Sequence, residues 1–235
     1  MPHRWSNSAE LRRSQIESGL DLTFNKVFRP LFVEKIIALA KYSILEVGAG
    51  TGHLSKALAT EGRNITAIEP SAGMFYVAKD VLADTGVNLI NCASSDLPVD
   101  AYYEVAISHL VAHVVDDVAA FFRSIAAHLD TQCHFIFSIP HPCFFNEYKN
   151  MFGDGYQYMK SSYQEIGFTI TKDQENKISG VPYHHRPLST YVNTLVGAGF
   201  AIDGFEEMWP SAEIQALYGK DWEYPRYCLF VCKKL

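Results

Sequence analysis

Several things are scarce in this chain, and each scarcity excludes something. No run of five or more basic residues occurs, and 26 acidic residues outnumber 20 Lys and Arg, for a formal net charge of −6. A nucleic-acid partner would call for a positive face, so none is expected. No apolar run approaches the ~18 residues of a membrane span. The stretch from Met1 to Arg13 is polar and does not read as a leader segment, so a cytoplasmic protein with no membrane partner is expected. Cys-x-x-Cys pairs are lacking, and the five cysteines (92, 133, 143, 228 and 232) are odd in number and lie mostly in or beside apolar, strand-like runs. They read as reduced core thiols, with no metal site. Repeats, low-complexity tracts and obvious linkers are also missing. What remains is 235 residues at 48% hydrophobic and 20% charged, enough to bury the core of one α/β domain with additions.

The most informative stretch is Ile44-Leu45-Glu46-Val47-Gly48-Ala49-Gly50-Thr51-Gly52. Ile44, Leu45 and Val47 make a short buried-strand pattern. Gly48, Gly50 and Gly52 then allow a sharp turn with no Cβ in the way. From Thr51 the spacing becomes helical, through Leu54, Leu58 and Ala59. A strand, a glycine turn and a helix start form a nucleotide-type cofactor site. Glu69 ends the next apolar run, 64–68, where a carboxylate can accept ribose hydroxyls. A dinucleotide fingerprint would put glycine at position 53, which is His53.

The wider rhythm is regular. Residues 8–19 and 22–40 read as helices, the second with Pro30 starting a new helix. Helix 51–61, strand 64–69, helix 72–84, strands 87–92 and 103–108, helix 117–129 and strand 133–139 follow. Helix 188–198, strand 200–207 and a strand at 227–231 close the chain. Such alternation implies a mostly parallel sheet covered on both faces. Residues 140–187 break the rhythm and hold nine aromatics, from Phe144 to Tyr183. A structureless loop of that length is improbable, so a small cap with a hairpin through Phe168 to Ile170 is expected.

Glu46-Val47-Gly48-Ala49-Gly50-Thr51-Gly52 with its downstream acid resembles motif I of the class I S-adenosylmethionine-dependent methyltransferases. The resemblance implies a Rossmann-like α/β fold: seven strands, mostly parallel, the last antiparallel, with helices on both faces. It also implies a single domain over 1–235. Residues 1–40 would be a helical lid, 42–139 the cofactor-binding core, 140–187 an aromatic-rich cap after strand five, and 188–235 a closing helix and the last two strands. The cofactor would be S-adenosylmethionine. Gly48, Ala49, Gly50, Gly52 and Leu54 would hold its amino-acid end, with Glu46 toward the ammonium and Glu69 on the ribose. Pro70 and Met74 would line the adenine, although Met74 as plain core is a competing reading. Relatives place an Asp before a Leu-Pro pair to bind the adenine amino group; here that position holds Ala93, so Ser94 and Ser95 are the candidates and Asp96 reads as a turn residue.

Ser108 and His109 resemble the segment that passes beside the sulfonium and starts the acceptor pocket, which makes His109 a candidate both for cofactor contact and for catalysis. His113 would share a helical face with His109 if that stretch is helical. His141, at the end of strand five between Pro140 and Pro142, is a candidate general base. Tyr163, His185 and Arg186 are further acceptor-side candidates, the Tyr and His as catalytic groups. The expected activity is methyl transfer to O or N of a small apolar or aromatic metabolite, as in secondary metabolism, by a monomer or homodimer. The alternatives are an enzyme of the same fold that closes the cofactor's aminobutyrate chain into a ring and releases methylthioadenosine, and a non-catalytic cofactor-binding scaffold.

Overall fold

The computed structural model describes residues 3–99 and 101–235. In chain order the elements begin with α1 (His3–Ser6), α2 (Ala9–Glu17), a π-helical turn (Thr23–Phe28), α3 (Arg29–Leu39), β1 (Ser43–Val47), α4 (His53–Thr60), β2 (Asn64–Ile68), α5 (Ala72–Val81) and β3 (Asn88–Ile90). They continue with β4 (Tyr103–His109), α6 (Val118–Ala126), β5 (Leu129–Pro140), α7 (Phe145–Lys149), β6 (Ser162–Ile170), β7 (Asp173–His185), α8 (Leu188–Gly197), β8 (Phe200–Glu207), α9 (Ala212–Tyr218) and β9 (Tyr227–Lys234). Seven strands form one sheet in the order β3-β2-β1-β4-β5-β9-β8, and β6 and β7 form a separate two-stranded sheet. The ladders β1–β2, β2–β3 and β4–β5 are parallel, while β9 runs antiparallel to both β5 and β8. This is the Rossmann-like architecture that the strand–helix alternation and the family resemblance imply.

The chain divides into two compact units. The first comprises the described residues up to Ala93, with Gly167–Val181 and Pro210–Asp221. In it, Ile44, Leu45, Ile65, Ala67 and Ile68 are fully buried, as parallel strands covered on both faces require. Pro30 sits in the first turn of α3, where a missing N–H costs nothing, and the helix stops as Ala40 takes a left-handed φ of 52°. Two side-chain bonds tie distant segments of this unit to its N-terminal helices: Gln15 Nε2 donates to Asp173 Oδ2 at 2.9 Å, and Thr23 Oγ1 meets the Tyr218 hydroxyl at 2.9 Å.

The second unit comprises Ser94–Ile166, Pro182–Trp209 and Trp222–Leu235. Its core is a stack of aromatic rings: Phe135 on Phe137 at 4.9 Å between centroids, and Phe137 on Phe230 at 4.7 Å. Lys234 donates its ammonium protons to the carbonyls of Ala126 and Leu129, closing the end of α6.

Gly73, in the first turn of α5, allows a close backbone approach between α5 and α1. A Cβ built there would lie 2.5 Å from both Cα and O of Ser6 in α1. Backbone atoms cannot swing aside as a flexible side chain can. Gly73→Ala would gain about 1 kcal/mol of helix propensity but incur an overpacking cost of roughly 1–3 kcal/mol. Thermal unfolding is expected to shift several degrees downward; a rise in melting temperature would refute the contact.

Candidate functional site

The glycine turn is held by β2. The N–H groups of Gly48 and Ala49 both donate to the Ile68 carbonyl, at 2.9 and 3.0 Å. Gly50 adopts a φ of 57°, and a Cβ added there would meet nothing within 4 Å, so the turn faces open space. Glu69 is buried and uses both carboxylate oxygens: Oε2 accepts from the Gly50 N–H and Oε1 from the Ser71 N–H, each at 2.8 Å. Ser71 is in turn the N-cap of α5, its hydroxyl facing the Met74 N–H. Burial raises the Glu69 pKa above the ordinary carboxylate value, and the N–H groups of Ser71 and Gly50 pull it back. Asn91, which the sequence reading passed over, donates from Nδ2 to the Glu69 carbonyl at 2.6 Å and fixes the backbone beneath the acid.

Glu46 lies inside β1, 1% exposed. The Ser55 hydroxyl of α4 donates to its carboxylate. Burial is the dominant influence on this acid and raises its pKa to about 7; the bond from Ser55 opposes the shift and the nearby Glu69 adds to it. The two acids and the open turn suit a ligand that carries positive charge at one end and hydroxyl donors further along. An ionised carboxylate has about four lone-pair sites. Glu69 uses two on backbone N–H groups and retains capacity for ribose hydroxyls. These residues therefore fit the adenosyl sulfonium cofactor that the sequence implies.

The other first-unit candidates divide. Ala49 and Leu54 are buried, Leu54 as part of the core. Pro70 is exposed. Met74 is spent on packing: it is buried with Ala9, Val77 and Val81, with Trp5 against them. The competing core reading thus fits Met74 better than a ring-facing role. His53 takes the place of a third fingerprint glycine, with Nδ1 2.9 Å from Thr51 Oγ1 and Nε2 3.5 Å from Glu17 of α2.

In the second unit the Ser94 hydroxyl lies 2.7 Å from that of Ser124, and the Ser95 hydroxyl donates to Asp96 at 3.2 Å. Ser108 is fully buried, and His109 Nδ1 is 2.8 Å from Ser138 Oγ. The stretch after His109 is not helical. Leu110 takes a left-handed φ of 55° and breaks the path, so His113 does not sit one helical turn beyond His109. Arg186 explains the turn that forms instead. Its buried guanidinium donates to the carbonyls of Ala112, Val115 and Asp116, at 3.2, 2.6 and 2.8 Å.

His141 is 1% exposed. The Cys143 N–H donates to its Nδ1 at 3.3 Å, so the ring proton sits on Nε2 and faces Glu207 Oε1 at 2.9 Å. Both nitrogens are engaged, and the ring braces the end of β5 instead of offering a free lone pair to a substrate. Tyr163 is 44% exposed on the hairpin, donating to Glu165 at 3.4 Å, with its ring 4.9 Å from that of His184. His185 is 1% exposed and donates from Nε2 to the Tyr158 carbonyl at 2.8 Å.

A family profile described as a methyltransferase domain matches residues 45–137. An uncharacterized methyltransferase of Oceanobacillus iheyensis is 29% identical over 105 residues, covering 43% of this chain and 48% of that protein. The ubiquinone biosynthesis O-methyltransferase of Rickettsia felis is 28% identical over 133 residues, 54% of this chain and 52% of that one. The chain thus spans about half the length of these curated relatives. In fold it is similar to the crystal structure of an S-adenosylmethionine-dependent methyltransferase from Clostridium acetobutylicum, with a TM-score of 0.66 at 16% identity over 96% of this chain and 97% of that one. The match to the methyltransferase-domain profile is confined to residues 45–137, and the fold of the chain is similar to that of solved S-adenosylmethionine-dependent methyltransferases.

The buried acid in β1 leaves a signature in stability. The folded pKa of Glu46, about 7, is raised above the value of 4.5 for an accessible carboxyl. The native state therefore holds a proton that the unfolded chain releases between those values. Its contribution to stability is fully present below about pH 4.5 and is lost as pH rises to about 7, on the order of 3 kcal/mol in all. Denaturant titrations at pH 5 and pH 8 should show this loss in the wild type and a smaller one in Glu46→Gln. Parallel pH profiles of the two proteins would contradict the burial of the acid.

Proposed function

We propose that this chain is an S-adenosylmethionine-dependent methyltransferase that acts on an oxygen or nitrogen of a small apolar, aromatic metabolite. The observation that carries the reading is the open Gly50 turn held on the buried Glu69 carboxylate, with Glu46 behind it. Glu69 would take the ribose hydroxyls, the Gly48–Gly52 backbone and the start of α4 the amino-acid carboxylate, and Glu46 the ammonium. When bound, the sulfonium supplies an electrophilic methyl carbon that needs little activation. The protein's part is then to hold and orient the reactants, which can lower a barrier by roughly 7–11 kcal/mol. The name of the Rickettsia relative, an O-methyltransferase of quinone biosynthesis, favours an aromatic acceptor, as does the ring-rich segment between β5 and α8.

The test is product analysis. Incubation with methyl-labelled S-adenosylmethionine and a panel of small aromatic alcohols and amines should yield S-adenosylhomocysteine and a labelled acceptor. Methylthioadenosine formed from cofactor alone would replace this reading with ring closure of the aminobutyrate chain. For the binding step, Glu69→Gln removes charge-assisted hydrogen bonds of about 1.5–3 kcal/mol each. Calorimetry should show S-adenosylhomocysteine binding roughly 10- to 150-fold weaker in that variant. Unchanged affinity in a folded Glu69→Gln protein would remove the ribose role.

A further inference from the structure

Buried polar groups nearly always find a hydrogen-bond partner, and those that do not call for an explanation. One ring cluster of the second unit holds three such atoms that are buried without a partner: Nδ1 of His185, the hydroxyl of Tyr156 and Nδ1 of His113. The rings adjoin one another. Tyr156 meets His185 edge-on at 5.0 Å between centroids and stacks on Phe152 at 5.1 Å. Phe152 lies 5.5 Å from Tyr183, and Tyr183 lies 5.4 Å from His113. His185 and His113 are 1% and 8% exposed, so neither unpaired nitrogen is at the surface.

The protonation pattern defines what would complete the set. His185 commits its Nε2 proton to the Tyr158 carbonyl, which leaves Nδ1 as a bare acceptor. Burial lowers the pKa of His185 and takes that of His113 down to about 3, with Arg186 next among the causes, so both rings are neutral. Burial also raises the pKa of Tyr156, which keeps its proton and can donate. Arg186, a buried cation nearby, is taken up by three backbone carbonyls and the Tyr191 hydroxyl. Among the described residues of this cluster, no side chain is left to recognise a charged group. The surrounding rings are aromatic, and besides His113 Nδ1 the unpaired atoms are one acceptor, His185 Nδ1, and one donor, the Tyr156 hydroxyl, on adjoining rings. A hydroxyl both donates and accepts, and a flat ring bearing it would stack on aromatic neighbours.

We propose that this cluster is a binding site for a neutral hydroxyarene, whose hydroxyl donates to His185 Nδ1 and accepts from the Tyr156 hydroxyl. The proposal rests on the methyltransferase reading for its role as the acceptor site, but the binding itself is testable without the cofactor. The probe is 2-naphthol, compared with 2-methoxynaphthalene, which cannot donate. Calorimetry on the full chain should show the naphthol binding about tenfold tighter, the worth of one well-made hydrogen bond. Tyr156→Phe deletes a hydroxyl without a partner in the ligand-free protein. It should therefore leave the melting temperature unchanged or raised, while weakening naphthol about 3- to 10-fold. His185→Phe should abolish the difference between the two probes.

Equal affinity for the two probes would overturn the proposal, as would undiminished naphthol binding by Tyr156→Phe. A lowered melting temperature in Tyr156→Phe would do the same, because it would assign the hydroxyl a structural bond. S-adenosylhomocysteine titrated into the same proteins separates the two readings. A wild type that binds naphthol as described but not the nucleoside would sink the methyltransferase reading and leave this site standing.

Discussion

The first unit depends on one carboxylate shared between two backbone N–H groups. Glu69 joins the middle of the glycine turn, at Gly50, to the start of α5, at Ser71. Burying an acid costs several kcal/mol unless hydrogen bonds replace its water. Here charge-assisted bonds from main-chain donors do so, and they require the acid, the turn and the helix start to be positioned together. The short β2, the glycine at position 50 and the serine cap at 71 are parts of one constraint.

The second unit handles its buried charge in the same way with the sign reversed. Arg186 donates to the carbonyls of Ala112, Val115 and Asp116, and so fixes the path of the chain beyond β4. In both units a buried ion is met by backbone dipoles in place of an opposite side-chain charge. A salt bridge in the same place would tie two side chains together. A dipole-solvated ion orders a stretch of main chain, and that is what a loop near a site needs. His141 works similarly: with Nδ1 on the Cys143 amide and Nε2 on Glu207, it organises the Pro-His-Pro turn.

How legible these features were in the sequence follows the distance over which they are decided. The β1 turn, Glu69 and the alternation of strands and helices are set by local pattern, whereas the seven-strand count and the antiparallel last strand rest on the family resemblance. The α9 helix, outside the expected elements, also has local signals: a capping Ser211 and a left-handed Gly219 just past its end. Other features are tertiary. Met74 has the chemistry of a ring-facing residue, and only the packing of α2 against α5 shows it filling core with Ala9 and Val77. His109 and His113 have helical spacing, but Arg186, more than seventy residues away, selects turns there. The hairpin of β6 and β7 is longer than the Phe168–Ile170 clue suggested, because its strands lack the alternation of a half-buried sheet.

Glu46, a buried carboxyl whose pKa stands near 7, partnered by the hydroxyl and amide of one serine, is a net cost to the folded chain. Residues of that kind concentrate at functional sites, where a ligand offsets the cost. An acid in this state ionises when a cation approaches, and the ionised form then attracts the cation. On the proposed reaction the incoming cofactor carries both an ammonium and a sulfonium, whereas the thioether product keeps only the ammonium. Coulomb attraction from a pair of buried acids falls when the second charge is gone. Glu46, which destabilises the empty protein, and Glu69 beside it would therefore hold the reactant more firmly than the product, which favours release after transfer.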